Sequence, residues 1–277
     1  MAAVSEGLIP HEIIEKLGPS GGTLLILPAG DLSSVPFAAL PLRDGRNLID
    51  IATPIVLPSV DALFFWVKAP VTWKASVIVG DPDLSKDKDW DFIPLPGARR
   101  EAEQVAAMLG GRALTGASAT YDAVRGSFSG THPSLIYFAT HGISDSVNPM
   151  DGSFLALNEQ HLRGAQIKQF SFPSVHPLVV MSACQSGLGK AFQGGVFGLA
   201  RAWIFAGASQ VLASQWNVDD DATADFMLAF MGDLSRGASS AEAYRLAVLQ
   251  TRQIHKDPAL WGSFNFFGYP QPITERR

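Results

Sequence analysis

Residues 176–195, HPLVVMSACQSGLGKAFQGG, contain the only cysteine of the chain. Cys184 lies at the end of the apolar run PLVVMSACQ (177–185), which is typical of a strand buried on both faces. Small residues and glycines follow the cysteine and lead into a helical segment. The order of strand, glycine-rich turn and helix predicts an α/β fold with the cysteine at the carboxyl end of a strand.

Further strands and helices are predicted on both sides of this segment. Four other short apolar runs have the same character: GTLLILP (22–28), SVIVGDP (76–82), SLIYFATHG (134–142) and SQVLASQW (209–216). Helical patterns occur in LPGARREAEQVAAMLGG (95–111) and in GGVFGLARAWIFAGA (194–208). The second of these is apolar nearly all round and is predicted to be deeply buried. Two more helices are predicted to begin near Asp219–Asp221 and near Ser239. We therefore expect a three-layer α/β/α sandwich around a mostly parallel sheet.

We expect a single domain over residues 1–277, with an N-terminal subregion (1–75) and a catalytic α/β core (76–277). The subregion contains proline and glycine turns, among them RDGR (43–46), and predicts a strand, an antiparallel excursion and a short helix near Ser59–Lys68. The polar segment 82–97 is predicted to be a surface loop and a possible subdomain boundary.

Composition excludes several classes of function. The chain has 277 residues, 47% of them hydrophobic, a net charge of −5 and no Lys/Arg run longer than a pair, so a nucleic-acid surface is not expected. No apolar run approaches the length of a membrane span, and the N-terminus has no signal-peptide pattern, which favours a cytoplasmic protein. One cysteine forms neither an intramolecular disulfide nor a cysteine-cluster zinc site, and no metal or cofactor is implied.

The best candidates for chemistry are Cys184 and His141. His141 ends the run SLIYFATHG as Cys184 ends its own run, so neighbouring parallel strands would bring both side chains to one edge of the sheet. A thiolate nucleophile needs such a base nearby, and the backbone N–H groups of Gly142 and Cys184 could hold a developing oxyanion. The alternative is that both residues are inert and buried, as single cysteines and histidines often are. The other histidines lie in helical or loop segments and are poorer candidates.

Two other motifs in the chain are similar to known functional sites. CQSGLGKAFQGG contains Gly189-Lys190, which is similar to a P-loop, but the pattern requires glycine at position 184 and Ser or Thr at position 191, where the chain has Cys184 and Ala191. The acids Asp219, Asp220 and Asp221 could suggest a metal site, although an N-terminal helix cap explains them better.

The pair FATHG and MSACQSG resembles the caspase-like cysteine peptidases, with the histidine 43 residues before the cysteine. The closer resemblance is to the CHAT branch of that clan, which is related to separases. It extends through most of the chain, over LPAGDLSSVPFAAL, PLPGARREAEQVAAML, the two dyad segments, FGLARAWIFAGASQVLASQWNVDDDAT and WGSFNFFG.

This resemblance implies the caspase-type fold, a His141/Cys184 dyad and an oxyanion hole formed by the N–H groups of Gly142 and Cys184. It implies a cysteine endopeptidase that cleaves protein substrates through an acyl-enzyme. A catalytically silent CHAT-fold module that binds protein partners is the alternative.

The resemblance also bears on specificity and regulation. Related enzymes often bind an Arg or Lys side chain with an acid, and metacaspase-like members have that acid two residues before the cysteine, where this chain has Ser182. The separase-like stretch WNVDDDA makes Asp220 the first candidate, with Asp219, Asp221 and, more weakly, Asp31 as others. The family's association with TPR repeats implies a TPR-type module or a separate regulatory protein as partner. The segments 82–97, 143–152 and 158–176 are the expected gating loops.

Overall fold

The computed structural model describes residues 8–17, 22–29, 32, 35–57, 75–128, 132–145, 147–148, 150–183, 195–216 and 219–268, with only the backbone described at 195–197. Within these ranges the chain forms one large sheet, one small sheet and helices on both sides of the large one.

The large sheet has eight strands: β1 (Gly22–Ile26), β2 (Ala52–Val56), β3 (Ser76–Pro82), β4 (Leu114–Gly116), β5 (Leu135–Ala139), β9 (Leu178–Ser182), β10 (Gln210–Ser214) and β11 (Phe264–Gly268). Their order in space is β1-β2-β11-β10-β9-β5-β3-β4. All neighbouring strands are parallel except β10 and β11. The small antiparallel sheet contains β6 (Gly142–Ile143), β7 (Phe154–Leu155) and β8 (Leu162–Arg163).

The helices cover both faces of the large sheet. They are α1 (His11–Lys16), α2 (Leu48–Ile51), α3 (Pro96–Met108), α4 (Tyr121–Phe128), α5 (Gly164–Ile167), α6 (Gly195–Phe205), α7 (Asp220–Ser235), α8 (Ser240–Ile254) and α9 (Pro258–Trp261), with a 3₁₀ turn at Phe37–Ala39. Helices α3, α7 and α8 pack on the face that contains Tyr137, and α4 and α6 pack on the face that contains Phe138. Since both faces are buried, the strands are continuous apolar runs, and the predicted three-layer sandwich with a mostly parallel sheet is confirmed.

Capping explains where two of the helices begin. Asp219 precedes α7, and its carboxylate accepts hydrogen bonds from the N–H groups of Asp221 (3.0 Å) and Ala222 (3.3 Å). Ser239 precedes α8, and its hydroxyl accepts from Glu242 N (3.2 Å). Each cap satisfies N–H groups that have no partner within the helix, as the sequence predicted at both sites.

Some details differ from the prediction. Helix α6 is not buried all round: Trp203 is fully buried, but Phe205 is 73% exposed, because α6 contacts the sheet with one side only. The antiparallel excursion after β1 is a single bridge, Pro41 to Asn47, closed over a turn at Gly45 with φ +84°. The helix expected near Ser59–Lys68 lies outside the described residues. No helix among the described residues is long and apolar enough to span a membrane.

Candidate active site

Strands β5 and β9 are neighbours and parallel, which is the arrangement that a dyad of His141 and Cys184 requires. Leu135 pairs with Leu178 and Ala139 pairs with Ser182, an offset of 43 residues (182 − 139). The same number of residues separates His141 from Cys184. Both strands therefore end at the same edge of the sheet, two residues before the candidate residue of each.

The backbone is held closely where the two strands end. A Cβ placed on Gly142 would lie 3.1 Å from Ala183 Cβ and 3.3 Å from Ala183 O, so only glycine allows this approach without a shift of the neighbour. The same Ala183 carbonyl oxygen accepts a hydrogen bond from the Ser214 hydroxyl (3.3 Å) at the end of β10. The residues next to His141 and Cys184 in sequence are thus in van der Waals contact.

Gly142 begins β6, and its N–H lies outside the β6–β7 ladder. Ala156 N donates to His141 O (2.8 Å), so those two residues form a hydrogen-bonded antiparallel pair. Hydrogen-bonded and non-hydrogen-bonded pairs alternate along an antiparallel ladder, and the next pair, Gly142 with Leu155, is of the second kind. The N–H group of Gly142 therefore points away from β7.

The imidazole of His141 is fixed by the loop that connects β3 to α3. Nε2 of His141 lies 2.7 Å from the carbonyl oxygen of Ile93, and the Phe92 ring stacks on the imidazole with centroids 4.8 Å apart. Because a carbonyl oxygen only accepts, Nε2 carries the proton in this bond, and Nδ1 of the neutral ring keeps its lone pair. Nδ1 is buried and has no hydrogen-bond partner among the described residues.

Burial lowers the pKa of His141 below its ordinary value of 6.5. The hydrogen bond to the Ile93 carbonyl and the negative charges of Asp81 and Asp220 oppose this effect. Desolvation is the largest contribution, so the neutral imidazole predominates at pH 7. A neutral histidine with Nε2 held by a carbonyl and with no partner for Nδ1 in the part of the chain that the structure describes is suited to accept a proton.

The loop over His141 is anchored at both of its ends. Asp81 has a positive φ of 44°, and its carboxylate accepts from Leu95 N (2.8 Å) and Arg99 Nε (2.9 Å). Such a left-handed residue is rare outside glycine and is maintained here by these contacts. The loop thus packs onto the edge of the sheet at His141; that segment 82–97 marks a subdomain boundary stays a prediction.

A small aromatic cluster anchors the middle of the loop. Phe92 and Trp90 pack with Ile143, Phe154 and Ala156 of the small-sheet region. His161 stacks on the Phe154 ring (4.2 Å), and its Nε2 lies 3.0 Å from Asp87 Oδ2 in the loop. Residues of 82–97 and 158–176 thus contact each other beside His141; whether they gate the site stays a prediction.

The acids predicted for a substrate pocket lie in different surroundings. Asp219 is the cap of α7, Asp220 and Asp221 lie on the first turn of that helix, and all three are exposed. Asp220 lies against the first turn of α3, since a Cβ on Gly97 would be 3.6 Å from its Oδ2, and its charge acts on His141. Asp31 and Cys184 lie outside the described residues.

Several contributors were not recognised in the sequence. No residue was identified that orients His141, and the structure assigns this contact to a backbone carbonyl, Ile93 O, which no side-chain pattern can indicate. Asp81 is visible in the sequence as the acid next to the end of SVIVGDP, the strand before the loop. Glu101, a buried acid on α3 that accepts a hydrogen bond from the Tyr137 hydroxyl of β5 (2.7 Å), was visible only as one polar residue in a helical pattern.

A mostly parallel sheet that brings a histidine strand and a cysteine strand side by side defines the fold of the caspase-like cysteine peptidases. The family model described as "CHAT domain" matches residues 3–269, and the chain belongs to that family.

Solved structures of cysteine peptidases have the same fold. The complex of the pro- and mature domains of RgpB from Porphyromonas gingivalis superposes with a TM-score of 0.63 at 14% identity, over 97% of this chain and 69% of that one. The Saccharomyces cerevisiae separase–securin complex at 3.0 Å resolution gives a TM-score of 0.58 at 15% identity, over 90% of this chain and 15% of that one. At these identities the likeness concerns the fold.

Among curated proteins, the chain is similar to tetratricopeptide repeat protein 28. The human protein is 27% identical over 322 aligned positions and the mouse protein 26% over 324; the alignments cover 97% of this chain. The chain spans only 13% of the length of these relatives.

Proposed function

We propose that the protein is a cysteine endopeptidase in which Cys184 is the nucleophile and His141 the general base. The observation that carries this proposal is the pairing of β5 with β9 at an offset of 43 residues, the separation of the two residues in sequence. Cys184 directly follows Ala183, which packs closely against Gly142, the residue after His141. Consecutive Cα atoms are about 3.8 Å apart, so the chain places the cysteine close to the histidine. Nδ1 of His141, which has no hydrogen-bond partner among the described residues, is the atom to which the thiol would give its proton.

The reaction would proceed in two steps. The thiol proton passes to His141 Nδ1 while the sulfur forms a bond to the carbonyl carbon of the peptide. The tetrahedral intermediate then collapses, the C–N bond breaks, and the proton moves from the imidazolium to the leaving amine. Water, deprotonated by the same nitrogen, hydrolyses the thioester and releases the acid and the free thiol.

Two features would stabilise these steps. The Ile93 carbonyl holds the imidazole in one tautomer and strengthens its hydrogen bond when the ring becomes positively charged. The Gly142 N–H, which lies outside the β6–β7 ladder, would bind the oxyanion together with the N–H of Cys184.

For the substrate, we propose a peptide segment with a basic residue before the scissile bond, bound by Asp220. Of the three consecutive acids, Asp219 is used as a cap, whereas Asp220 lies beside α3 and acts electrostatically on His141. Asp221 and Asp31 remain weaker candidates. For regulation, the resemblance to a much longer tetratricopeptide repeat protein supports a TPR-type module or regulatory protein as partner.

The test is covalent capture of the dyad. The protein is incubated with peptidyl acyloxymethyl ketones that carry Arg, Leu or Asp next to the ketone, with and without a candidate TPR partner, and the intact mass is measured. We expect one adduct on the wild-type protein, fastest with Arg, that is absent in Cys184→Ala and strongly slowed in His141→Ala. Asp220→Asn should lose the preference for Arg while it still reacts with the Leu probe, and Asp225→Asn, on the same helix, is the matched control.

Two outcomes would contradict the proposal. If no adduct forms with any probe, with or without the partner, the domain is a silent protein-interaction module. If the Leu probe reacts fastest in wild type and in Asp220→Asn alike, the dyad is supported and the basic specificity is wrong.

A further inference from the structure

Ile93 is an exposed apolar residue in the loop over His141. Its side chain is 65% exposed, and Pro94 next to it is exposed as well, whereas the preceding Phe92 is buried in the aromatic cluster. A single exposed isoleucine is common on protein surfaces and needs no explanation by itself. Ile93 differs because its own carbonyl oxygen lies 2.7 Å from Nε2 of the proposed general base. An apolar surface therefore adjoins the reacting groups.

The backbone fixes where this side chain begins. The Cα of a residue lies roughly 2.4 Å from its own carbonyl oxygen, so Ile93 Cα is within about 5 Å of His141 Nε2. Ile93 and Leu95 each precede a proline, which disfavours helical backbone at both residues. The N–H of Leu95 donates to Asp81 Oδ1 at 2.8 Å. The segment is thus held in place before a substrate binds, and binding requires little further ordering.

The order of the strands indicates which half of a substrate would reach Ile93. Strands β9, β5 and β3 are consecutive in the sheet, so the loop after β3 lies on the side of β5 opposite to β9, the strand that Cys184 follows. The two nitrogens lie on different edges of the imidazole of His141, and Nε2 is the one that faces Ile93. In the proposed reaction the acyl half stays on the sulfur, and Nδ1 gives its proton to the leaving amine. The half that follows the scissile bond would therefore extend over the histidine towards Ile93.

The chemistry at this position favours an apolar side chain in the substrate. Asp81 acts electrostatically on His141, but its carboxylate already accepts hydrogen bonds from Leu95 N and Arg99 Nε. The side chains of isoleucine and proline have no donor or acceptor, so a charged substrate group placed against them would lose hydration without gaining a partner. An apolar group would instead remove apolar surface from water.

We propose that Ile93 is a specificity residue on the leaving side of the site: its side chain, with Pro94 beside it, contacts an apolar side chain of the residue that directly follows the scissile bond. This inference rests on the proposed function, because it uses the direction in which His141 passes the proton to the leaving amine. The carbonyl of Ile93 holds the histidine, and the side chain of the same residue selects what leaves.

The experiment compares internally quenched peptides that are identical up to an Arg before the scissile bond and differ only in the next residue, which is Leu, Ala, Lys or Asp. The values of kcat/KM are measured for wild type, Ile93→Ala and Ile93→Lys, with the candidate TPR partner where ketone labelling requires it. The matched control is Ile254→Ala, which removes an isoleucine of similar exposure (63%) at the end of α8.

In wild type we expect the Leu peptide to exceed the Ala peptide by about tenfold in kcat/KM, a typical discrimination by an apolar contact. This ratio should fall to about twofold or less in Ile93→Ala and keep its wild-type value in Ile254→Ala. Ile93→Lys should prefer the Asp peptide to the Leu peptide, since the new charge would attract the acid. A wild-type preference for the Lys peptide would overturn the inference and indicate that the exposed Asp91 of the same loop selects the residue.

The peptidyl ketone separates this inference from the proposed function, because it has no amino-acid residue after the reacting carbonyl. If the ketone labels Cys184 and the Leu to Ala ratio is the same in Ile93→Ala as in wild type, Ile93 has no role in specificity and the peptidase proposal stands. If neither the ketone nor any peptide reacts, with or without the partner, both are wrong. A ratio of two substrates within one variant cancels any shift of the Ile93 carbonyl, and the replaced side chain is exposed, so the test does not depend on packing of the core.

Discussion

Substitution of Gly80 by alanine should disturb the fold at the contact between α3 and the sheet. A Cβ on Gly80, in strand β3, would lie 2.3 Å from Ala102 Cβ and 2.9 Å from the Ala98 carbonyl oxygen. Ordinary contacts between carbon atoms are about 3.5–4.0 Å, so α3 must move by roughly 1 Å. Neither neighbouring atom belongs to a flexible side chain that could turn away.

The expected loss of stability in Gly80→Ala follows from the dense packing of protein interiors. Inserting a methyl group into a packed core typically destabilises by about 1–3 kcal/mol, and a contact of 2.3 Å places Gly80→Ala near the upper end of that range. The displacement also moves the N-terminal end of α3, and with it the adjoining Ile93 carbonyl that holds His141. Because misplacement by about 1 Å near reacting groups can cost about 100-fold in rate, we also expect much slower labelling of Cys184.

The measurement is urea unfolding followed by tryptophan fluorescence, together with the ketone labelling rate below the unfolding transition. The matched control is Gly126→Ala, inside α4, where a new Cβ would meet no atom within 4 Å. This control should be neutral or more stable by up to about 1 kcal/mol, because alanine is the better helix former. A Gly80→Ala protein as stable as wild type, within about 0.5 kcal/mol, would refute the claim that α3 is closely packed on β3.

Three further substitutions test other contacts. Gly142→Ala should reduce stability by only about 1 kcal/mol, since Ala183 must move by a few tenths of an ångström, but it should slow ketone labelling at least about tenfold. Phe92→Ala removes a buried aromatic side chain, a change that typically destabilises by about 3–5 kcal/mol. Below the unfolding transition it should also slow labelling, because His141 loses its stacked neighbour, and unchanged labelling would contradict this. Arg252 hydrogen-bonds Asp50 and lowers its pKa, so Asp50 stabilises the fold above its ordinary pKa and this stability is lost as pH falls through the lowered value. Asp50→Asn should therefore destabilise at pH 7, and its difference from wild type in thermal unfolding should shrink as the pH falls below the ordinary pKa of the carboxyl.

Much of the fold could be predicted because strands that are buried on both faces consist of consecutive apolar residues. The runs at 76–82, 134–142, 177–185 and 209–216 each contain a short stretch of consecutive apolar residues, as is typical of strands covered on both faces, and each contains a strand of the large sheet. Strand β11 was not separately predicted, and its antiparallel pairing with β10 depends on how the chain returns after α8, which no local pattern encodes.

The amino-acid sequence alone was enough to predict the fold class, the family resemblance and the two residues proposed for catalysis, because strand ends and helix caps are local features. The tertiary structure decided the rest: that β5 lies beside β9 in the required register, that the Ile93 carbonyl holds a histidine 48 residues away, and that Glu101 contacts a tyrosine 36 residues away. These contacts depend on register and packing between distant segments. A pattern along one segment reports which side of it is buried, but it does not report which atoms of another segment lie there.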